Sequence, residues 1–264
     1  MEKPTLKIVK IGGHVIDDSA DLQTFLSDFA KLDGAKILVH GGGKLASEIG
    51  LKLGIQPQLH EGRRITDAPT LDLVTMVYAG LINKNIVAKL QALNINAIGV
   101  TGADANLIKA SKRPVKTIDY GFVGDLEAAY VSGIGFQQLV SQGLTPICAP
   151  ITHDGNGQLL NTNADTIASA IAVALSPYFK TELLYCFEKQ GVLIDVNDPA
   201  SLIREIHPES YANYKAKGIV AGGMIPKLDN AFLAIQQGVS AVYIGNSAAL
   251  SLLPKGLFGT KIRA

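Results

Sequence analysis

The sequence predicts an α/β fold, a three-layer α/β/α sandwich in which helices cover both faces of a mainly parallel sheet. Short apolar runs rich in β-branched residues alternate along the 264-residue chain with longer segments of helical period. Because the runs are apolar on both faces, helices must cover both sides of the sheet that they form. A hydrophobic content of 47% is sufficient for a sizeable core.

The elements follow one another in a regular order. Strands are expected at residues 6–11, 35–41, 96–102, 144–151, 181–187 and 241–245. Helices are expected at residues 19–32, 44–54, 68–93, 134–143, 163–175 and 225–238. Residues 56–68 and about 104–132 break the alternation, and the second stretch is typical of hairpins. Pro177 follows a long helix and indicates a hinge, so we predict two lobes, residues 1–180 and 181–264.

Composition and charge exclude several classes of protein. Lys and Arg number 24 against 23 Asp and Glu, and no dense basic block is present, so we expect no nucleic-acid partner. Cys148 and Cys186 lie in separate apolar runs without CxxC spacing, which is typical of buried free thiols. The first residues lack the apolar segment of a signal peptide, and the other apolar runs are judged too short to cross a bilayer. We therefore expect a cytoplasmic protein with no membrane association.

Three consecutive glycines stand between a predicted strand and a predicted helix, in residues 35–50, AKILVHGGGKLASEIG. This is not a Walker A loop, since Leu38 occupies the first glycine position and Leu45 follows the lysine. Residues 41–46 fit the loose GxGxxA pattern of dinucleotide-binding proteins, which leaves an NAD(P)-dependent oxidoreductase open. An esterase interpretation of HGGG would need a GxSxG motif, and the sequence has none.

A second glycine pair repeats the same design one unit earlier, in VKIGGHVI, where Lys10 precedes Gly12 and Gly13. If the two strands are parallel neighbours, the amides of Gly12, Gly13, Gly42 and Gly43 meet at one edge of the sheet. Such a cluster of amides, with a lysine beside it, favours an anionic group. Tight turns and a solvated lysine would explain either motif alone, but explain the two together less well.

Two further motifs lie at predicted helix starts. NTNAD places Asn161, Asn163 and Asp165 at one of them, where a helix cap accounts for one of the three side chains. GGMIPK places Lys227 near the start of another, where a cation opposes the helix dipole. A bound anion would explain that lysine.

Taken in order, the motifs KIGG, VHGGG, GRRIT, GFVGDL, NTNAD, GGMIPK and GTKI resemble those of the amino acid kinase family over the full length of the chain. Within the family they are most similar to the branch that phosphorylates N-acetylglutamate in arginine biosynthesis. The resemblance implies an N-terminal lobe that binds the acylated amino acid and forms a homodimer. It also implies a C-terminal lobe that binds ATP, with Mg²⁺ held mainly by the nucleotide.

The resemblance implies a role for each motif residue. Lys10 and Lys227 would flank the transferring phosphoryl group, and Asp165 would hold both ammonium groups. The predicted substrate-binding residues are Gly42, Gly43, Arg64, Asn161 and Asn163, and the predicted ATP-binding residues are Gly12, Gly13, Glu188, Gly191, Gly222 and Gly223. No general base is expected, since a carboxylate acceptor with a pKa near ~4 is already ionised.

Two departures from the family pattern bear on these expectations. Residues 187–191 read FEKQG where relatives usually carry Thr-Asp-Val-x-Gly, which leaves the adenine and ribose contacts open. Arginine-inhibited relatives carry an extra N-terminal helix, whereas the first strand here begins almost at once, so we expect an arginine-insensitive homodimer. The alternatives are an N-succinylglutamate, aspartate or α-aminoadipate acceptor, or a non-catalytic module that senses nucleotide or amino acid.

Overall fold

A computed structural model of the chain describes residues 3–195, 197–220 and 224–264. The strands are β1 Thr5–Ile11, β2 Ala35–His40, β3 Leu59–His60, β4 Arg63–Arg64, β5 Ala97–Val100, β6 Ser111–Lys112, β7 Gly124–Asp125, β8 Thr145–Cys148, β9 Ile151–His153, β10 Leu159–Asn161, β11 Lys180–Phe187, β12 Glu205–Ile206, β13 Ala241–Asn246 and β14 Thr260–Ile262. The α-helices are α1 Gly13–Asp17, α2 Ser19–Ala30, α3 Gly43–Lys52, α4 Ala68–Val74, α5 Asn83–Gln91, α6 Gly133–Ser141, α7 Ala164–Leu175, α8 Pro208–Ala216 and α9 Met224–Gln236. A π-helical stretch, Thr75–Ile82, joins α4 to α5.

The centre of the molecule is an eight-stranded sheet in the order β12-β14-β13-β11-β1-β2-β8-β5. Every neighbouring pair is parallel except β13 and β14, so the predicted mainly parallel sheet is confirmed. All of the strands expected from the sequence lie in it, whereas the short strands β12 and β14 at one end of the sheet were not predicted. Because β1 pairs with β11 along its whole length, one sheet runs through both predicted lobes. The division at residue 180 stays a prediction.

Strand alternation divides the core into two layers, one on each face of the sheet. Leu6 and Ile8 of β1 pack with the residues of α7 and α9. Val9 and Ile11 of the same strand pack on the other face, with α2 and α5. Since successive side chains of a strand point to opposite faces, Lys10 follows Ile8 to the side of α7 and α9. The core packing of one strand therefore fixes where this lysine points.

One helical run, Ala68–Gln91, is long and apolar enough to cross a bilayer by length and composition. This finding corrects the expectation that every apolar run is too short. The run belongs to the protein core along one side, where Val77, Ile82, Ile86 and Leu90 are buried. A core helix of a folded domain meets the same length and composition criteria, so the run is weak grounds for a membrane segment.

Candidate active site

The two glycine loops are neighbours at one edge of the sheet. The parallel register pairs Ile11 with His40, the last residues of β1 and β2, so KIGG and HGGG leave the sheet side by side. The amide of Gly41 donates to the carbonyl of Ile11 at 3.1 Å and ties the loops together. Gly42 has a φ of +148°, and a Cβ there would collide with Cδ1 of Ile82. Only glycine fits that position, which allows the backbone to stay open toward the cavity.

The side chain of His40 fixes the second glycine loop through hydrogen bonds. Its Nδ1 lies 2.8 Å from the carbonyl of Gly41, and its Nε2 lies 3.2 Å from Nδ2 of Asn83. Because a carbonyl only accepts, Nδ1 carries the proton and Nε2 accepts from the asparagine. Complete burial lowers the pKa of His40 to about 4. A neutral imidazole that makes two hydrogen bonds in the interior is a scaffold element.

Lys10 and Asp165 form a short ion pair beside these loops. Nζ of Lys10 lies 2.8 Å from Oδ1 of Asp165, and the lysine is only 8% exposed. Asp165 reaches this position from the first turn of α7, which covers the face of the sheet that Lys10 faces. The hydroxyl of Tyr185, whose Cα is the register partner of Lys10, donates to the main-chain carbonyl of Asp165 at 3.3 Å. Strand and helix together fix the pair.

Lys227 approaches the same place from α9. Its Nζ lies 3.8 Å from the ring centroid of Phe187, and Nζ of Lys10 lies 5.4 Å from the same centroid. Burial lowers the pKa of Lys227; the charge of Asp165 acts in the opposite direction, and that of Lys10 adds to the lowering. Two cations thus converge on one ring with one carboxylate close by. Asp165 contacts Lys10 directly and acts on Lys227 at longer range.

Arg64 lies at the second glycine loop and is held by the start of α3. Its Nη2 donates to the carbonyl of Gly43 at 2.8 Å and to the hydroxyl of Ser47 at 2.7 Å. The hydroxyl of Tyr78 is close by, and Arg64 opposes the rise that burial causes in the pKa of that tyrosine. The π-helical stretch that contains Tyr78 brings its ring to the loop. A planar guanidinium fixed in this way is suited to a carboxylate.

The two asparagines of NTNAD have different local roles. Asn163 is the N-cap of α7, and its Oδ1 accepts the amide of Thr166 at 3.0 Å. Asn161 ends β10, and its Nδ2 donates to the hydroxyl of Thr66 at 3.0 Å. The cap interaction uses the side-chain oxygen of Asn163, so only its Nδ2 is available for a ligand.

A single cavity of about 1180 Å³ connects these groups. Its lining includes most of the predicted site residues, namely Lys10, Gly12, Gly13, Gly42, Gly43, Arg64, Asn161, Asn163 and Asp165. Helix α9 contributes Asn230 and Leu233, and Gln237 follows directly after the helix. Lys227 is not among the lining residues and sits over Phe187, one turn before Asn230. The cavity thus has a basic, amide-rich edge at the glycine loops and extends to Arg64.

The remaining predicted residues lie elsewhere or outside the described residues. The side chain of Glu188 is 70% exposed, and its Oε1 is 3.8 Å from Nδ1 of His14. Gly191 has a φ of +152°, and a Cβ there would come within 2.6 Å of the hydroxyl of Thr260, so packing alone accounts for this glycine. Their role in ATP binding stays a prediction. Gly222 and Gly223 lie outside the described residues.

Three residues of the site were not predicted. Phe187 underlies both lysines, Tyr78 borders Arg64, and Arg113 lines the cavity with its guanidinium bonded to Asp125 at 2.6 and 2.9 Å. The sequence signal for Phe187 was present, because the segment that it opens departs from the family pattern. Nothing in the sequence distinguishes Tyr78 from the other apolar residues of its helix.

The sequence and the fold both match those of known proteins. The sequence model of the amino acid kinase family matches residues 5–246. The acetylglutamate kinase of Cytophaga hutchinsonii is 57% identical over 93% of this chain and 92% of its own. That of Phocaeicola vulgatus is 53% identical over 94% and 96%. A solved structure from Streptococcus mutans superposes with a TM-score of 0.74, at 25% identity over 98% of each chain. The chain therefore belongs to the amino acid kinase family.

Proposed function

We propose that this protein is an ATP-dependent kinase that phosphorylates the γ-carboxylate of N-acetyl-L-glutamate, a step of arginine biosynthesis. The product would be N-acetyl-L-glutamyl 5-phosphate. One observation carries the proposal: Lys10 lines a cavity beside the paired glycine loops, and the same cavity presents Arg64. The ammonium group of Lys227 meets that of Lys10 over the ring of Phe187. The similarity to acetylglutamate kinases identifies the acylated amino acid as the acceptor.

The basic edge of the cavity suits a transferring phosphoryl group. During transfer, negative charge spreads over the equatorial phosphoryl oxygens, so catalysis depends on positioning and on electrostatic stabilisation. Lys10 and Lys227 supply two positive charges there, and the glycine loops supply main-chain amides. Because Lys10 is almost fully buried, its charge is weakly screened by water. Asp165 keeps the ammonium group of Lys10 directed into the site.

At the part of the cavity that takes the acceptor substrate, the protein has to bind the substrate but does not have to transfer a proton. A carboxylate oxygen of the acceptor attacks the γ-phosphorus while the bond from that phosphorus to ADP breaks. Both the nucleophile and the leaving group are anions, so no proton has to move. Arg64 would bind the α-carboxylate of the acceptor, and Asn161 would bind its acylated amino group. The hydrogen bonds of Arg64 to Gly43 and Ser47 fix its orientation before substrate binds.

ATP would bring Mg²⁺ with it. Among the described residues no group of three or more His, Cys, Asp or Glu side chains is placed to hold a metal ion. We propose that phosphate oxygens and water would coordinate this ion, which would offset phosphate charge.

We also propose a homodimer in a reducing cytoplasm. Met76 and Leu81, on one long helix, are 58% and 46% exposed, which is a reason to expect a partner surface. Cys148 and Cys186 are both free and buried, as suits a compartment without disulfides. Light scattering after size exclusion should give twice the mass of one chain, and a monomer at micromolar concentration would contradict the dimer.

A second acceptor, N-succinyl-L-glutamate, is worth a direct comparison because of a second cavity of about 600 Å³. Arg63 and Arg113 line both cavities, and Lys116 lines the second one. These cations could bind the extra carboxylate of a succinyl group, although Arg113 is already paired with Asp125.

The test is ADP release measured with N-acetyl-L-glutamate, N-succinyl-L-glutamate and L-aspartate at equal concentrations. We expect the acetyl compound to give the highest kcat/KM. A higher value for the succinyl compound would reassign the acyl group. No ADP release with any acceptor, despite ATP binding, would instead indicate a nucleotide-sensing module.

A further inference from the structure

We infer that Phe187 is a positioning residue for phosphoryl transfer, whose ring holds the ammonium groups of Lys10 and Lys227 through cation–π contacts. The inference rests on the proposed function. Phe187 opens the segment that departs from the family pattern. Its proposed role is to orient the two ammonium groups.

The ring serves two cations at once. Its centroid lies 3.8 Å from Nζ of Lys227 and 5.4 Å from Nζ of Lys10, both inside the ~6 Å range of an effective cation–π contact. In the described part of the chain, each other aromatic ring that makes a cation–π contact does so with one lysine or arginine. Phe187 is therefore distinguished by the pair of charges that it joins.

The ring is itself held in place. Phe187 is the last residue of β11, where its Cα pairs with that of Asn246 in β13. It stacks on Tyr185 with centroids 6.0 Å apart and an interplanar angle of 21°. Tyr185 in turn bonds the main chain of Asp165. Because strand pairing and stacking hold the ring of Phe187 in place, the ring can in turn hold the ammonium groups that contact it.

The contact with the ring matters more for Lys227 than for Lys10. Lys10 has the carboxylate of Asp165 at 2.8 Å, whereas Lys227 has no carboxylate within 4.0 Å among the described residues. Burial and the nearby charge of Lys10 both disfavour the charged form of Lys227. The face of an aromatic ring favours that form, because its quadrupole is negative above the ring.

An aromatic ring holds Lys227 without placing a second negative charge in the site. A carboxylate beneath Lys227 would hold the lysine but would add a full negative charge next to the incoming phosphates. The ring attracts both cations and has no net charge. The lysines consequently keep their positive charge available for the transferring group.

The first experiment changes the ring electronically and leaves its shape nearly unchanged. Phe187 is replaced by phenylalanine carrying one, two or three ring fluorines, which progressively weaken the quadrupole. We expect log kcat for ADP release to fall with each fluorine, by about tenfold in total, while KM for N-acetyl-L-glutamate stays constant. The matched control is the same series at Phe29, whose ring lies 5.4 Å from Nζ of Lys36, and there kcat should not change. Wild-type kcat with trifluorophenylalanine at position 187 would overturn the inference.

The second experiment separates failure of this inference from failure of the proposed function. It measures the pKa of Lys227 by NMR of the side-chain ammonium in ligand-free protein, so it needs no activity. The charged groups that act on Lys227 are Asp165 of α7 and Lys10 of β1, and both stay in place in the variants. Phe187→Leu should lower the pKa of Lys227, and Phe187→Tyr should leave it near the wild-type value. An unchanged pKa in a folded Phe187→Leu protein would overturn the inference, whereas an inactive wild type with the expected pKa change would overturn only the function.

Discussion

Two buried lysines on neighbouring strands, Lys10 of β1 and Lys36 of β2, look almost equivalent by the usual criteria. They are 8% and 7% exposed, and each Nζ lies 5.4 Å from a phenylalanine ring centroid. They differ in what the ammonium group contacts. Nζ of Lys36 donates to the carbonyls of Ala30 and Leu32 at 2.8 and 2.7 Å, at the end of α2. Lys10 pairs with one carboxylate and faces a large cavity.

The difference shows that burial alone does not mark a functional lysine. Lys36 satisfies the carbonyl of Ala30, the last residue of α2, and that of Leu32 just beyond the helix, as cations commonly do at a helix C-terminus. Burial lowers its pKa, but its hydrogen bonds are internal and serve the fold. Lys10 lies where β1 ends beside a glycine loop, and its contact with Asp165 directs it without enclosing it. The functional difference is that the ammonium group of Lys10 has access to a cavity and that of Lys36 does not.

The largest expected effect comes from matched substitutions of these two lysines. Lys10→Met should lower kcat by a factor of about 10³ or more, because charge stabilisation of the transferring group is lost, with little change in stability. Lys36→Met should leave kcat unchanged and reduce the free energy of unfolding by about 2 kcal/mol, because one buried and one partly buried carbonyl lose their donor. Steady-state ADP release and urea unfolding measure the two quantities. Equal loss of kcat in both variants would remove the distinction.

A pair of glycines tests the loop next to Lys10. Gly42→Ala should lower kcat by about 10²-fold or more and destabilise the protein by roughly 3 kcal/mol, since the new Cβ would collide with Ile82 at a positive φ. Gly54 also has a positive φ, but a Cβ added there would meet no atom within 4 Å. Gly54→Ala should therefore cost about 1 kcal/mol and leave kcat unchanged. An active Gly42→Ala variant would show that the loop does not have to keep this shape.

Arg63 and Arg64 allow a matched comparison where the acceptor substrate binds. Arg64→Lys should raise KM for N-acetyl-L-glutamate by about 10- to 100-fold without changing KM for ATP, because lysine cannot form a bidentate contact with a carboxylate. Arg63→Lys, at an exposed neighbouring position, should leave both constants near their wild-type values. The opposite pattern would move the carboxylate contact from Arg64 to Arg63.

The smallest effect concerns pH and His40, which ends the strand that carries Lys36. The pKa of His40 is lowered from 6.5 to about 4, so between these values the unfolded chain binds a proton that the folded protein does not. Its contribution to stability is complete above pH 6.5 and declines as the pH falls to about 4, by at most about 3 kcal/mol. In urea unfolding, the stability difference between wild type and His40→Gln should shrink between pH 7 and pH 5. A constant difference would mean that His40 is not held neutral.

Much of the fold follows from sequence because the strands that matter are apolar on both faces. Residues 6–11, 35–41 and 181–187 could be identified as interior strands, and the parallel pairing of the first two brings the glycine loops together. The strands β12 and β14 span two and three residues, too few to show an alternating pattern.

The site was less predictable where tertiary packing places a side chain. Lys10 belongs to a recognisable motif, but no local pattern shows that Lys227 and Lys10 share the ring of Phe187. The contact depends on how α9 packs against α7 and β13, which is set by the core rather than by neighbours in sequence. For the same reason, the approach of Tyr78 to Arg64 depends on the π-helical stretch of a long apolar helix.

The most direct test is product analysis with N-acetyl-L-glutamate, ATP and hydroxylamine, since hydroxylamine converts an acyl phosphate into a stable hydroxamate. Transfer to a carboxylate predicts one hydroxamate for each ADP released by wild-type protein, and neither product from Lys10→Met. ADP release without hydroxamate would mean that phosphate is transferred to water or to a different group, and would contradict an acyl-glutamate kinase.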